Sequence, residues 1–328
     1  LGRHALLFGG EMRSIDGTNV ETPFNAQGAA LATTQTRGSQ RLGSGFAQAT
    51  FNVSDRLTVV AGGQGSGWHT ESTNTGFRKT LGSFNPRGSF AYRVGEGVSV
   101  RASAYRGFRA PTLNELYRGF RVGSTQTNPN EALLPERLTG GDGGVQLSRG
   151  AASARLTAFW NILDDAITNI TLSTTPVLIT KQRANADKIR AAGFEFEGDV
   201  RLPYAVTVTL ATGIASSVFK GDTSLRDNDV PQIPKYNVGI GARYVDRGWT
   251  GSAQLRVTGA QFEDDLNAFV LRKATVLDVY AGRSLSRQVQ VFVAVENLFD
   301  NEYDVGRTPI LTTGLPRAAR VGVQVAIP

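Results

Sequence analysis

Residues 288–303 read QVQVFVAVENLFDNEY, and the first half of this stretch fixes the kind of solvent the chain is built for. Successive side chains of a strand point to opposite faces. Val289, Val291, Val293 and Val295 therefore share one face, while Gln288, Gln290 and Ala294 share the other, with Phe292 the one large exception. Glu296, Asn297, Asp300, Asn301 and Glu302 then end the alternation, and the chain is expected to turn there. An all-valine face needs either a protein core or lipid.

The same period of two recurs along the chain. In WTGSAQLRVTG (249–259), Trp249, Ala253, Leu255 and Val257 oppose Thr250, Ser252, Gln254, Arg256 and Thr258. In YNVGIGARY (236–244), Tyr236, Val238, Ile240, Ala242 and Tyr244 oppose Asn237 and Arg243. Phe194, Phe196, Val200 and Leu202 oppose Glu195, Glu197, Asp199 and Arg201; Ala154, Leu156, Ala158, Trp160 and Ile162 oppose Ser153, Arg155, Thr157 and Asn161.

Connections alternate in length. Short turns fall at Ser54-Asp55-Arg56, Gly95-Glu96-Gly97, Arg149-Gly150, Pro203-Tyr204, Asp246-Arg247-Gly248 and Ser286-Arg287. Long polar segments are expected between them, at roughly 15–40, 70–79, 109–135, 171–184, 220–233, 261–273 and 299–316. In an antiparallel meander this rhythm gathers every long loop at one end, the outer-membrane barrel pattern. The count comes to about 14 strands. A soluble sandwich or propeller also alternates, but its strands run to about five or six residues. Here several alternations extend over about nine to twelve, the length a tilted membrane strand needs. Tyr236 and Tyr244 flank one strand, and Trp160, Trp249 and Phe299 sit near the ends of others, as an interfacial girdle requires.

Composition agrees. The 328 residues include 38 glycines and 19% charged residues, unlike a helical bundle or a disordered chain. No apolar run approaches the ~18 residues of a membrane helix. The slightly polar mean hydropathy fits a barrel that shows lipid every second residue. Cysteine is absent and histidine occurs only at His4 and His69, which excludes thiolate chemistry and disfavours a zinc site. The net charge of +7 is spread over single basic residues, so no track for nucleic acid forms.

Six segments, in order, carry a family resemblance: YRGFRAPTLNELY (105–117), NPNEALLPER (128–137), NADKIRAAGFEFEG (185–198), VPQIPKYNVGIG (230–241), VENLFDNEY (295–303) and GLPRAARVGVQV (314–325). Together they resemble the C-terminal barrel of TonB-dependent outer-membrane receptors, most firmly over residues 80–328. The resemblance implies an all-β, antiparallel transmembrane barrel of about 22 strands closed by an N-terminal plug. About 14 of those strands would then be present, with residues 1–328 forming the C-terminal part of the barrel domain. The start LGRHALLFGGEMRS, with neither initiator Met nor a signal-peptide pattern, reads as part of a strand. The end, VAIP at Pro328, departs from the terminal aromatic usual in that family.

The implied function is uptake of a bulky, scarce solute across the bacterial outer membrane: a ferric siderophore, cobalamin or a glycan. Its partners would be outer-membrane lipid, the solute, and the TonB complex acting through the plug. A passive porin of about 14 strands is the alternative. A purely adhesive barrel has no specific support. Arg87, Arg101, Arg155, Glu195, Glu197, Arg243 and Arg256 are expected to line the lumen. Tyr117, Arg118, Phe120 and Arg121, in the long connection from about Arg109 to Pro135, are candidates for solute contact, since arginine and aromatic side chains dominate binding surfaces.

Catalytic chemistry finds no footing. Asp164-Asp165 and Asp264-Asp265 could offer oxygen ligands to calcium, but no spaced set of further ligands accompanies them, and solvated loops are expected. Gly62-Gly63, Gly65 and Gly67 lack the Gly-Lys-Ser/Thr of a phosphate loop, and no nucleophile elbow occurs. His69, beside Trp68, reads as an interfacial position or a rim contact. No enzyme activity, cofactor or metal is expected.

Overall fold

In the computed structural model, residues 4–24, 27–221 and 224–327 are described; Leu1–Arg3 and the terminal Pro328 lie outside them. The first strands are β1 (His4–Glu21), β2 (Thr34–Asn52), β3 (Leu57–Ser72), β4 (Arg78–Gly95) and β5 (Val98–Arg109), followed by helix α1 (Leu113–Tyr117). Next come β6 (Phe120–Val122), β7 (Thr125–Asn128), β8 (Glu136–Arg149), β9 (Ala152–Asp164), β10 (Ile167–Thr174), β11 (Ile179–Asn185), β12 (Lys188–Leu202) and β13 (Val206–Lys220). The chain finishes with β14 (Tyr236–Asp246), β15 (Trp249–Thr258), β16 (Gln261–Phe262), β17 (Val270–Leu271), β18 (Ala274–Ser284), β19 (Val289–Glu296), β20 (Asp304–Gly306), β21 (Thr312–Thr313) and β22 (Ala318–Val325).

Fourteen of these strands form one sheet in the order β1-β2-β3-β4-β5-β8-β9-β12-β13-β14-β15-β18-β19-β22. Every neighbouring pair is antiparallel. Among the described residues β1 and β22 each have a single neighbour in it. The short turns lie at one end and the long connections at the other, as the alternation of lengths predicts. The remaining short strands belong to the long connections: a four-stranded sheet β10-β11-β7-β6 and two pairs, β16-β17 and β20-β21.

Register gives the sheet two chemically distinct faces. Val289, Val291, Val293 and Val295 stand opposite Val325, Val323, Val321 and Ala319. With Phe84, Phe194, Ile214 and Val323, all exposed, they make an outer face whose apolar surface suits hydrocarbon. The inner face is polar and carries cross-strand contacts: Arg155 Nη1 lies 3.6 Å from a Glu197 carboxylate oxygen, and Arg256 Nη2 lies 2.7 Å from Asp278. The Tyr105 hydroxyl donates to Asn161 Oδ1 at 3.1 Å. Phe292, the exception to the alternation, points inward. It stacks on Tyr280 with ring centroids 5.7 Å apart and covers Gly322, where a Cβ would come within 2.5 Å of the ring.

Three expected loops prove to be half or more strand. β1 to β4 run to 18, 19, 16 and 18 residues, roughly 50–60 Å at ~3.3 Å per residue. They therefore take in much of 15–40 and 70–79, and β10 and β11 take in most of 171–184. Beyond the lipid band both faces of a strand meet water, so hydrogen-bonded pairing continues while the apolar contrast that betrays a strand disappears. In β4, Pro86 has no N–H to give to a ladder. Pairing with β5 ends beside it, at Arg87–Tyr105, and the last residues of β5 continue against β8 alone. The chain leaves the wall there and turns inward.

Candidate functional site

The segment after β5 is built onto the inner wall. Thr112 caps α1: its hydroxyl accepts from the Glu115 N–H at 3.2 Å, and the Glu115 carboxylate accepts from the Thr112 N–H at 2.7 Å, a reciprocal capping box. Leu116, Tyr117 and Leu133 bury themselves against Trp68 of β3, with Leu42, Leu81, Phe108 and Leu113 around them. The approach is close because the wall is glycine here. A Cβ on Gly38 would lie 2.5 Å from the Tyr117 ring, and one on Gly17 2.9 Å from Leu113. Polar contacts fix the register: Gln40 Nε2 donates to the Pro111 carbonyl at 2.6 Å, and the Tyr117 and Thr70 hydroxyls are 2.9 Å apart.

One correction follows. Tyr117, expected to contact solute, is 7% exposed and serves as a core residue of this platform. Trp68 is 1% exposed and belongs to the same inner core, while His69 lies on the opposite face, its Nδ1 2.8 Å from the Thr80 hydroxyl. A tryptophan in an otherwise polar inner strand is the signal that something packs over it, though the partner segment is not legible from the strand itself.

Above the platform stands the four-stranded sheet, in which β11 of one long connection pairs in parallel with β7 of another. Here the other candidate residues meet. The Arg118 and Arg183 guanidinium carbons lie 5.5 and 5.7 Å from the centroid of the same Phe120 ring, a doubled cation–π contact. Arg118 Nε donates to Glu21 at 2.8 Å. No carboxylate among the described residues pairs with Arg183, and its buried Nε has no hydrogen-bond partner. Burial lowers the Arg183 pKa below the usual guanidinium value; the nearby Glu115 charge opposes that shift and the Arg118 charge adds to it. Arg121 turns away, its Nε donating to the Gly123 carbonyl at 3.0 Å. Sequence reasoning missed Arg183, because it comes from a connection about sixty residues later.

Carboxylates tie the remaining connections into a roof. The Asp265 carboxylate accepts from the Thr171 N–H and hydroxyl at 2.8 and 2.6 Å, and its backbone carbonyl accepts from Asn228 Nδ2 at 2.8 Å. Asp264 accepts from the Phe269 N–H at 2.7 Å, and Glu263 from the Arg307 N–H at 2.6 Å. Arg272 Nη2 reaches Asp304 at 2.8 Å, and Pro309 packs against Gly123. The Asp264-Asp265 pair is thus buried, at 3% and 1% exposure, and is not the solvated loop expected. The Ala268 and Phe269 N–H groups of its own connection supply Asp264, and Thr171 of another connection supplies Asp265, with what water would have supplied. Asp164 and Asp165 pair with Lys188 and Arg137 at 3.4 and 2.7 Å.

Asn297 and Asp300 turn the chain as the sequence indicates, both at positive φ. Asn297 is buried; it donates to the Asn301 and Leu315 carbonyls and accepts from the Asn301 N–H at 3.1, 3.0 and 2.9 Å. Phe299 is exposed, and Tyr303 covers Gly314.

The seven expected lining residues share the inner face. Arg87, which bonds Gln48, Arg101, Arg155, Glu195, Glu197, Arg243 and Arg256 are linked by register from β4 through β15. Beside Arg155 and Glu197 the wall opens into a recess of about 450 Å³, reaching Asp199, Gly239 and Gln254.

An antiparallel sheet with an apolar outer face, a charged inner face, short turns at one end and a loop roof at the other is the wall of an outer-membrane β-barrel. The family model described as TonB dependent receptor-like, beta-barrel, matches residues 1–298, and the chain belongs to that family of bacterial outer-membrane transport receptors. It is 30% identical over 125 residues to the ferrichrome outer membrane transporter/phage receptor of Escherichia coli K12, an alignment covering 35% of this chain and 17% of that protein. The ferric yersiniabactin uptake receptor of Yersinia pestis superposes with a TM-score of 0.77 at 16% identity, over 98% of this chain and 51% of that one. The copper transporter OprC superposes with a TM-score of 0.82 at 14% identity, over 98% and 56%. The chain thus spans about half the length of these solved structures, and at such identities the likeness is one of fold.

Proposed function

We propose that this chain forms the C-terminal part of the wall of a receptor that imports an anionic metal chelate, with energy delivered by the TonB complex through a plug. The observation that carries the reading is the Arg118–Phe120–Arg183 stack beneath the roof. Two guanidinium groups share one ring while a single carboxylate, Glu21, pairs with Arg118. Arg183, half-buried and with no carboxylate in ion-pair contact among the described residues, favours an incoming anion, and planar guanidinium groups match carboxylate or catecholate oxygens. A ferric siderophore carries such groups; a neutral glycan or cobalamin would leave the cations unmatched. The iron and copper carriers among the fold relatives support the same class.

Arg87, Arg101, Arg155, Glu195, Glu197, Arg243 and Arg256 then face the lumen, available to a plug or a passing solute, and Arg121 stands at the edge of the recognition sheet. No catalytic step is assigned to the chain. Nothing in the comparisons supports the passive porin, and the sheet's first and last strands do not pair among the described residues, as a closed 14-stranded channel would require. Uptake of radioactive iron bound to citrate or to a tris-catecholate tests the reading, in cells whose complete receptor is the sole route. It should require TonB and fall at least tenfold in Arg183→Gln. Equal uptake without TonB, or a preference for cobalamin, would overturn it.

A further inference from the structure

At the loop end of the barrel wall several cations are paired: Arg78 with Glu71, Arg137 with Asp165, Lys235 with Asp229, Arg272 with Asp304. At the short-turn end, Arg149 and Arg283 on the outer face and Arg287 on a turn have no ion pair among the described residues, and Arg247 sits 3.5 Å from Asp246 with a side chain 90% exposed. Unmatched cations at one rim of a membrane protein mark the level of anionic headgroups.

One group at this rim is built rather than scattered. Trp249 and Arg283 are cross-strand partners on the outer face, at the turn ends of β15 and β18. The Arg283 guanidinium carbon lies 4.9 Å from the Trp249 ring centroid, and its Nη1 donates to the Arg247 carbonyl at 2.7 Å. Stack and hydrogen bond hold the guanidinium at the lipid surface with its other N–H groups unclaimed by any described protein acceptor. The Ser284 N–H donates to the Gly248 carbonyl at 2.8 Å, joining this turn to the next, which carries the exposed Arg287 and Leu285. Along the outer face, the pair beyond Trp249–Arg283 is Gly251–Ala281, then Ala253–Val279. Val291 and Val293 stand beside Arg283 and Ala281 on the neighbouring strand. Small residues leave a shallow apolar track that begins where the guanidinium is held.

We propose that Trp249, Arg283, Arg247 and Arg287 bind the phosphate of an anionic glycerophospholipid in the periplasmic leaflet, with an acyl chain laid along Gly251, Ala281 and Ala253. Guanidinium groups take phosphate oxygens through paired N–H donors, and tryptophan sits at the headgroup level. The site stands apart from the solute reading, since it lies on the opposite face and at the opposite end.

The test uses the complete receptor, purified in mild detergent and delipidated, then titrated with phosphatidylglycerol, phosphatidylethanolamine or inorganic phosphate and read by native mass spectrometry. Phosphatidylglycerol should bind at least tenfold more tightly than phosphatidylethanolamine. Arg283→Gln with Arg247→Gln should erase that preference, Arg283→Lys should keep part of it, and Arg226→Gln at the loop end should leave it unchanged. Heat-modifiable gel mobility checks folding; should the Arg283 variant misfold, Arg247→Gln with Arg287→Gln, both on exposed turns, is read instead. Equal binding of the two lipids, or unchanged preference in the folded variants, would sink the site. Displacement of the lipid by inorganic phosphate would make it a free-anion site and overturn the lipid assignment.

Discussion

The Asp265 carboxylate accepts two hydrogen bonds from Thr171, one from its N–H and one from its hydroxyl, across 94 residues of sequence. The bond joins the connection between β9 and β12 to the one between β15 and β18, and Asp265 is nearly solvent-free. Asp265→Ala leaves a buried N–H unpaired, which costs about 1–3 kcal/mol. That cost should fall on the roof and spare the wall, whose strands pair without it. Amide hydrogen exchange should therefore rise around 167–174 and 261–271 while the strands of the large sheet stay protected. Uniform exchange across both regions would show that the roof does not depend on this bond.

Glu115 makes the inner platform sensitive to acid. Burial pushes its carboxyl upward, but hydrogen bonds from Arg109 and Thr112 outweigh it and hold the pKa below the ordinary 4.5. A carboxyl depressed on folding contributes stability that is present above its unfolded value and lost as pH falls through its folded one. Protease cleavage within 110–135 should accelerate as pH drops below about 4.5 in the wild type. Glu115→Gln should be cleaved faster at neutral pH and lose the acid dependence. The same pH profile in both proteins would remove Glu115 from this role.

How much was legible follows from where the physics is local. Val289 to Val295 disclosed a strand, its face and its solvent because alternation needs only neighbours in sequence, and the register with Val321 to Val325 agrees. Asn297 and Asp300 disclosed their turn for the same reason. The strand tips at Thr34–Gln40 stayed hidden because polar residues on both faces leave no contrast to read. Tyr117 and Asp265 misled for a different reason. Each has an ordinary loop composition around it, and only the tertiary partner, Trp68 for one and Thr171 for the other, takes it out of water. Arg183 could not be joined to Phe120 without the parallel pairing of β7 and β11, which no local pattern encodes.

The two faces of β19 make a sharp comparison. Val293 faces outward at 42% exposure, between Ala281 and Val321. Gln290 faces inward, opposite Ser284 and Gln324. Val293→Arg should cost about 2–4 kcal/mol near the bilayer midplane. Gln290→Arg should be close to silent, because the lumen can hydrate the charge. Folding of the complete barrel into bilayers, followed by denaturant titration, measures both. Equal tolerance at the two positions would contradict the assignment of faces.

The four-stranded sheet proposed for recognition and the platform beneath it should separate by mutation. Tyr117 rests on Gly38 and bonds Thr70, so Tyr117→Ala should destabilise the platform by about 3–5 kcal/mol, as large-to-small core changes do. Tyr117→Phe keeps the ring and loses one hydrogen bond, about 0.5–1.5 kcal/mol. Arg118, Phe120 and Arg183 are half-buried and lie in or beside the loop sheet, outside the pairing of the barrel wall. Replacing all three with Ala should leave assembly and heat-modifiable mobility intact while weakening chelate binding at least tenfold, roughly 1.4 kcal/mol. Arg118→Lys with Arg183→Lys keeps both charges but loses the planar donors, and should recover only part of the affinity. Isothermal titration of the complete receptor with an anionic iron chelate reads each variant against Tyr117→Phe, which should bind as the wild type does. Full affinity in the triple variant would move recognition to other loops, and loss of binding in Tyr117→Phe would place that hydroxyl in the site after all.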